Sequence, residues 1–403
     1  MRRVLALGAY RRLLYAYTLN ELAWGFGSVA LSYLVYRRTG SALGATGFYL
    51  CSLFVPALLA PLWVSRLDRL PARAVLPALY FGESVAFLVL ALIVHRFSLV
   101  PVLVLALVDG TLALTARPIA RATTVEVTAS AGLLREGNAL TQTCFSVALM
   151  VGPAVGGAVV AAGGASAALW VNVGLFVTIA LALGTAARLP KPKHAEESEG
   201  RVRAAFAYAR RHSTIRLLLS VQALAVLSFT ISVPVEVVFA QHSLHAGASG
   251  YGGLLSAWGG GAVAGSVIYA RWHGAQARSL MAWGAGLIGV GLAVMAAAPS
   301  LGVAIVGAAA AGVGNGIETV SARTALQERT DGRWMALVMS FSDSLNEAMP
   351  GFGIIIGGAL ATLAGPRAAL VVAAAGSVGV TAAILALMHP ARGLMRPAAS
   401  PPV

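Results

Sequence analysis

The chain has 403 residues, 58% of them hydrophobic and only 11% charged, with a net charge of +14 and a mean hydropathy of +0.80. A soluble fold of this length could not hide so much apolar surface, so the lipid bilayer is the expected solvent. The positive charge does not point to nucleic acid, because Lys and Arg fall at intervals between apolar segments and form no single patch.

A membrane-crossing helix needs about 20 mostly apolar residues. The opening MRRVLALGAYRRLL has too short a first apolar run for a cleaved signal sequence and reads as a basic lead into the first span. Twelve spans follow, over 13–36, 42–64, 73–95, 99–120, 138–161, 166–187, 216–240, 250–270, 279–298, 300–322, 335–361 and 366–388. The 45 glycines lie within these runs, where small residues let membrane helices approach closely. With the N-terminus placed in the cytoplasm, inside loops hold 24 of the 29 Lys and Arg, and outside loops hold Arg37, Arg38, Arg96 and Arg367. That asymmetry predicts cytoplasmic termini and a multi-pass protein of the cell membrane.

Cys51 and Cys144 sit in apolar segments and read as small core residues. No HExxH, CxxC or GxxxxGK[ST] occurs, and no nucleophile–base spacing supports an enzyme. No cofactor or metal is expected.

Residues 188–215 form the one long polar segment. Pro190 and Pro192 close the sixth span, and RVRAAFAYARRH places apolar and basic residues on opposing helix faces, as a surface-lying helix would. The segment divides the chain into an N-terminal bundle (1–187), a cytoplasmic linker (188–215) and a C-terminal bundle (216–403). The halves repeat at an offset of 201: Gly152 matches Gly353, Gly156-Gly157 match Gly357-Gly358, and Ala167-Ala168-Leu169 match Ala368-Ala369-Leu370. The predicted fold is an all-α membrane protein of twelve helices in two pseudo-symmetric six-helix bundles.

The fifth span carries the most specific pattern. Gly152 and Gly156 share one helix face, and Ala148 extends it. Pro153 removes the amide partner of the Leu149 carbonyl and favours a kink. A bent, close-packed helix suits a seam where two bundles rock, and Met349-Pro350-Gly351-Phe352-Gly353 gives the eleventh span its own version.

With these features the chain resembles the major facilitator superfamily over essentially its whole length. Ala148-x-x-x-Gly152-Pro153-x-x-Gly156-Gly157 is similar to that family's antiporter signature, G-x-x-x-G-P-x-x-G-G, with Ala at the first Gly. The stretch LLREGNALTQTCFSVALMVGPAVGG resembles the drug-efflux branch that includes macrolide and siderophore exporters. The loop after span two, SRLDRLPARAVL, keeps Asp68, Arg69 and Arg73 of the family's G-x-x-x-D-R-x-G-R-[RK]. Val64, Pro71 and Ala72 depart from it, and a second register sets Ser65-Arg66 at the Asp-Arg pair. The resemblance implies a cytoplasmic latch at Asp68, Arg69 and Arg73, weakened by those departures.

Charge inside a membrane is costly, so each such residue is a functional candidate. Glu21, in span one, stands where the efflux branch commonly has an acid and is the first candidate for proton coupling. Its other reading is a structural hydrogen bond near Asn20. Asp109 and Arg117, in span four, complete an expected cluster with Glu21, since the resemblance places spans one and four at the central cavity. Asp343 and Glu347, four apart on span eleven, form either a coupling pair, one member holding a proton if both are buried, or a gate neutralised by Arg323 or Arg329. Glu318 aligns with Arg117 in the repeat and is expected to pair with Arg323 at a cytoplasmic gate. Glu236 is placed near interfacial water, and Glu83 ranks last because span three is expected to pack outside the cavity wall. Among Trp24, Phe26, Phe229, Tyr251 and Trp258, Trp24 and Trp258 are the substrate-contact candidates.

The reading is an alternating-access secondary transporter. Its expected partners are a small amphipathic substrate such as a drug or natural product, protons and the bilayer, and the chain is expected to work as a monomer. Proton-coupled uptake and a non-transporting receptor on the same fold are the alternatives.

Overall fold

The computed structural model describes residues 2–67, 70–185, 189, 207–272, 276–331 and 334–388. Asp68, Arg69 and most of the 188–215 linker lie outside the described residues. Every long element is a helix, as a bilayer requires of a chain that must satisfy its backbone internally.

Among the described residues nine segments are long and apolar enough to cross a membrane. One of them, Leu134–Gly184, runs 51 residues and breaks at Gly164, with φ 74° and ψ 175°. Glycine tolerates that left-handed backbone without a Cβ clash. The two pieces run opposite ways, because Tyr10 near the N-terminus donates to the Gly137 carbonyl at 2.8 Å while Gly184 returns to Pro77 at the start of the third span. Counting that segment twice and adding Gly8–Thr39 and Met335–Leu363 gives the expected twelve. Both of these last two line the interior cavities described below.

The spans are α1 (Gly8–Thr39), α2 (Ala42–Leu67), α3 (Ala72–Ile93), α4 (Leu99–Ser130), α5 (134–163), α6 (165–184), α7 (Ser213–Ser243), α8 (Ala248–Arg271), α9 (Ala277–Ala297), α10 (Leu301–Glu328), α11 (Met335–Leu363) and α12 (Pro366–Met388). Two of them contain a wide π turn, at Leu50–Phe54 in α2 and at Phe239–Ser243 in α7. The hydroxyls of Thr111, Thr115, Thr123 and Thr230 donate to the carbonyl four residues back, so these four carry no unmet donor into the bilayer.

Even-numbered crossings return the chain to one end, here called the linker end. The opposite, hairpin end has short turns. There Arg367 reaches across from α12 to donate to the carbonyls of Ala296 and Ala298 at 2.6 and 2.7 Å, while its guanidinium lies 5.5 Å from the Phe239 ring centroid. It thereby caps the exposed C-terminal carbonyls of α9.

Helix α5 uses two faces, which refines the single seam read from the sequence. Gly152 and Gly156 pack on Gly25 and Phe26 of α1, within the N-terminal half, with Ala148 buried below them. The face one residue on meets the other half: Gly157 lies against Ala248 and Gly252 of α8, Gly252 against Pro153, and Gly259 against the carbonyl of Leu149. The carbonyl that Pro153 deprives of its helical donor therefore abuts a glycine backbone across the seam. Helix α11 repeats the pattern. Gly353 and Gly357 pack on α7, and Gly358 crosses to Thr46 of α2. All three glycine pairs matched at the 201 offset meet equivalent partners.

Candidate functional site

The hairpin end is sealed. The Tyr49 and Tyr251 hydroxyls meet at 2.6 Å across α2 and α8, and Ser32 of α1 lies 3.5 Å from Tyr251. Both tyrosines are buried. Glu236 is buried as well, with Ser232 donating to its Oε1 at 3.0 Å, so it does not reach interfacial water as expected from its place near the end of α7. The break at Ile231-Ser232 turns that carboxylate inward. Midway down, the rings of Phe54 and Phe352 lie 6.1 Å apart between α2 and α11. Past these rings the two helices part around a cavity of about 870 Å³, walled by α2, α4 and α11 and reaching Ser65, Arg121 and Met339 toward the linker end.

Arg117, Asp343 and Glu347 line this cavity. Asp343 and Glu347 are exposed to it, so the condition for their sharing a proton, burial of both, does not hold. Asp343 instead lies 4.0 Å from Arg323, each more than half exposed. The expected Glu318–Arg323 gate is not formed. Glu318 faces into the C-terminal half, and Arg323 turns to Asp343 on α11. Arg73 is exposed on the first turn of α3 without an ion pair among the described residues, and Asp68 and Arg69 lie outside them.

Behind the cavity wall a small chamber of about 60 Å³ opens within the N-terminal half, lined by Asn20, Trp24, Glu83, Asp109 and Arg117 among others. Arg117 belongs to both spaces. Its Nη2 lies 3.4 Å from Glu21 Oε1, with Glu21 6% exposed and Arg117 44%. Asn20 Nδ2 also approaches Glu21, at 3.4 Å. The expected cluster of Glu21, Asp109 and Arg117 thus comes together, but Arg117 neutralises Glu21 and leaves Asp109 Oδ1 buried without a hydrogen bond.

Glu83, ranked last from the sequence, is 1% exposed in the same chamber, and its Oε1 also lacks a partner. Its low rank follows from the place expected for span three. The cost of a carboxylate deep in an apolar span was the signal that could have kept it. Trp24 lines the chamber. Trp258 does not line either space: it stacks on Phe229, ring centroids 5.5 Å apart, because α8 packs directly on α10 there. The network of Gln222, Ser342 and Asn346, linking α7 to α11, had no sequence signal beyond polar residues in apolar runs.

A sequence model of the Major Facilitator Superfamily matches residues 13–221, more than half of the chain. The chain belongs to the major facilitator superfamily. No curated protein matches it in sequence. Among solved structures it is similar to the nucleoside transporter NupG (TM-score 0.73, 14% identity, covering 94% of this chain and 99% of that one). It is similar also to a bacterial homologue of the iron transporter ferroportin in an inward-facing state (TM-score 0.73, 15% identity, 94% and 98%). A third is the POT family transporter PepTSo (TM-score 0.72, 9% identity, 94% and 97%). At such identities the likeness speaks to the fold alone, and the substrates of these proteins differ. This major facilitator chain is accordingly a multi-pass membrane transporter by family, built on that superfamily's helical fold.

Proposed function

We propose that this transporter exports a small amphipathic compound in exchange for protons. The observation that carries the reading is Arg117, which grips buried Glu21 on one side and lines the large cavity on the other. A proton arriving on the acids of the chamber changes the charge that Arg117 sees, and the cavity wall feels it. The unpartnered carboxylate oxygens of Asp109 and Glu83 extend the same store of protonatable groups. Trp24 stands beside them as a contact for an apolar ligand.

The halves 1–187 and 216–403, joined by 188–215, act as rocking bodies, with the seams at Pro153-Gly157 and Gly358 holding the hairpin end closed in the present state. The excess of Lys and Arg at the linker end supports a cytoplasmic placement of that end and of both termini in the cell membrane. The cavity then faces the cytoplasm, ready to load. The α5 pattern Ala148, Gly152, Pro153, Gly156 and Gly157 supports exchange over uptake, and the protein acts as a monomer.

Everted membrane vesicles energised to an acidic interior test this. A panel of lipophilic drugs and siderophore-like compounds is added in turn to wild type, Glu21→Gln and Asp109→Asn. The expected result is compound entering as protons leave, with coupling lost in Glu21→Gln. Protons and compound moving in the same direction would replace exchange with symport. Correctly inserted protein that moves neither would replace transport with a receptor role.

A further inference from the structure

A second polar pocket lies in the C-terminal half, and neither the proton store nor the seams use it. It measures about 100 Å³ and is bounded by Gln222, Phe229, Asn315, Glu318, Ser342 and Asn346. Glu318 is 7% exposed, and its Oε1 is buried with no hydrogen-bond donor. Arg323 and Asp343 also line the pocket, but the guanidinium is turned to Asp343 at 4.0 Å and makes no ion pair with Glu318. A carboxylate taken out of water without a counter-charge is strongly disfavoured unless it gains a proton or a cation.

The chemistry of the wall selects between ligands. Gln222 Nε2 donates to Ser342 Oγ at 2.8 Å and to Asn346 Oδ1 at 3.0 Å, and Ser342 donates back to Gln222 Oε1 at 2.9 Å. The Gln222 amide hydrogens and the Ser342 hydroxyl are taken up by one another, and no donor on the wall reaches the buried Glu318 Oε1. That oxygen is an open acceptor, and the guest that complements it is a donor carrying positive charge, such as an ammonium. A tightly held metal ion fits less well: among the described residues no three His, Cys, Asp or Glu side chains gather to hold one.

Size gives the rest of the ligand. The pocket takes an ammonium head with a few carbons, and Asp343 lines both it and the cavity of about 870 Å³. The body of the molecule therefore extends into the larger space. The face of Phe229, stacked on Trp258, borders the pocket and favours a cationic or aromatic neighbour.

We propose that Glu318 is the recognition residue for a protonated amine, and that the substrates of this transporter are amphipathic amines whose head group enters the α7–α10–α11 pocket. This rests on the reading of the large cavity as the transport cavity.

The test is binding to purified full-length protein in lipid nanodiscs, with no gradient applied. The probes are 2-(1-naphthyl)ethylamine and its neutral N-acetyl derivative, compared by equilibrium dialysis at pH 7. Wild type should bind the amine at least about 10-fold more tightly than the amide. Glu318→Gln should lower amine affinity by about 10- to 100-fold and leave the amide unchanged. Glu318→Asp keeps the charge, and its amine affinity should fall between the two. Equal binding of amine and amide by wild type overturns the proposal without any variant, as does undiminished amine binding by Glu318→Gln. Should that variant fail to insert, an aspartate variant whose amine and amide affinities match each other overturns it too. An amine that binds through Glu318 but is never carried in the vesicle assay overturns the assignment of amines as substrates and leaves Glu318 as an amine-binding residue only.

Discussion

A single methyl group at the crossing of α5 and α8 should move the whole transporter between its two states. In the present state a Cβ on Gly157 would lie 2.5 Å from the Ala248 carbonyl oxygen, 3.1 Å from Gly252 Cα and 3.2 Å from Ser249 Cα. All three are backbone atoms, so no side-chain rotation relieves the contact. Ordinary van der Waals contact begins near 3.4 Å, so the helices must separate by about 0.9 Å along the shortest contact. Overpacking of this kind costs about 1–3 kcal/mol. The penalty belongs to the state with the hairpin end closed, because opening that end draws α5 and α8 apart. At about 2 kcal/mol the equilibrium shifts roughly 30-fold, enough to invert a population resting at about ten to one. Spin labels on Ser65→Cys and Ser344→Cys, which face each other across the cavity, report the linker end; labels on Arg38→Cys and His242→Cys report the hairpin end. The background carries Cys51→Ser and Cys144→Ser. Gly157→Ala should shorten the first distance and lengthen the second. Gly174→Ala, whose methyl meets nothing within 4 Å, is the control and should leave both distances unchanged. If Gly157→Ala behaves like the control in folded protein, the seam does not set the equilibrium and the reasoning fails.

Further outcomes follow from other contacts. Tyr49→Phe or Tyr251→Phe removes the hydroxyl pair at 2.6 Å and should favour hairpin-end opening by about 0.5–1.5 kcal/mol, read as faster labelling of a cysteine placed at Ser32. Arg367→Ala leaves the carbonyls of Ala296 and Ala298 without their donor and should lower the melting temperature of the purified protein, at a cost of about 1–3 kcal/mol, with the cavity-end spin-label distances unchanged. Arg323→Ala breaks an ion pair whose members are 53% and 60% exposed, so thermal stability should change by less than about 1 kcal/mol. A larger loss would mean that Arg323 anchors more than Asp343.

Composition and periodicity are enough to read twelve spans here, because a bilayer leaves a chain few choices. The repeat at offset 201 was legible from Gly152, Gly156 and Gly157, since close helix contacts demand small residues at fixed spacing. What those glycines touch was not legible. Gly156 and Gly157 are neighbours in sequence, yet one serves α1 and the other α8, and only the relative rotation of the helices decides that. The Glu21–Arg117 approach was within reach because each is an expensive charge in want of a partner. The surroundings of Glu83 and Glu318 were not legible for one reason: which way a helix faces is set by packing, and packing puts Glu83 in the inner chamber and turns Arg323 to Asp343. Trp258 failed likewise, its ring turned onto Phe229 instead of toward the cavity.

The contacts between halves at the α5–α8 seam are made largely of backbone: the Leu149 and Pro153 carbonyls, and glycines at 157, 252 and 259. The surfaces that slide therefore hold almost none of the side chains that line the spaces where a ligand would sit. The walls of those spaces can change residue by residue over evolutionary time while the moving parts stay as they are. A protein arranged in this way can acquire a new cargo without relearning how to open.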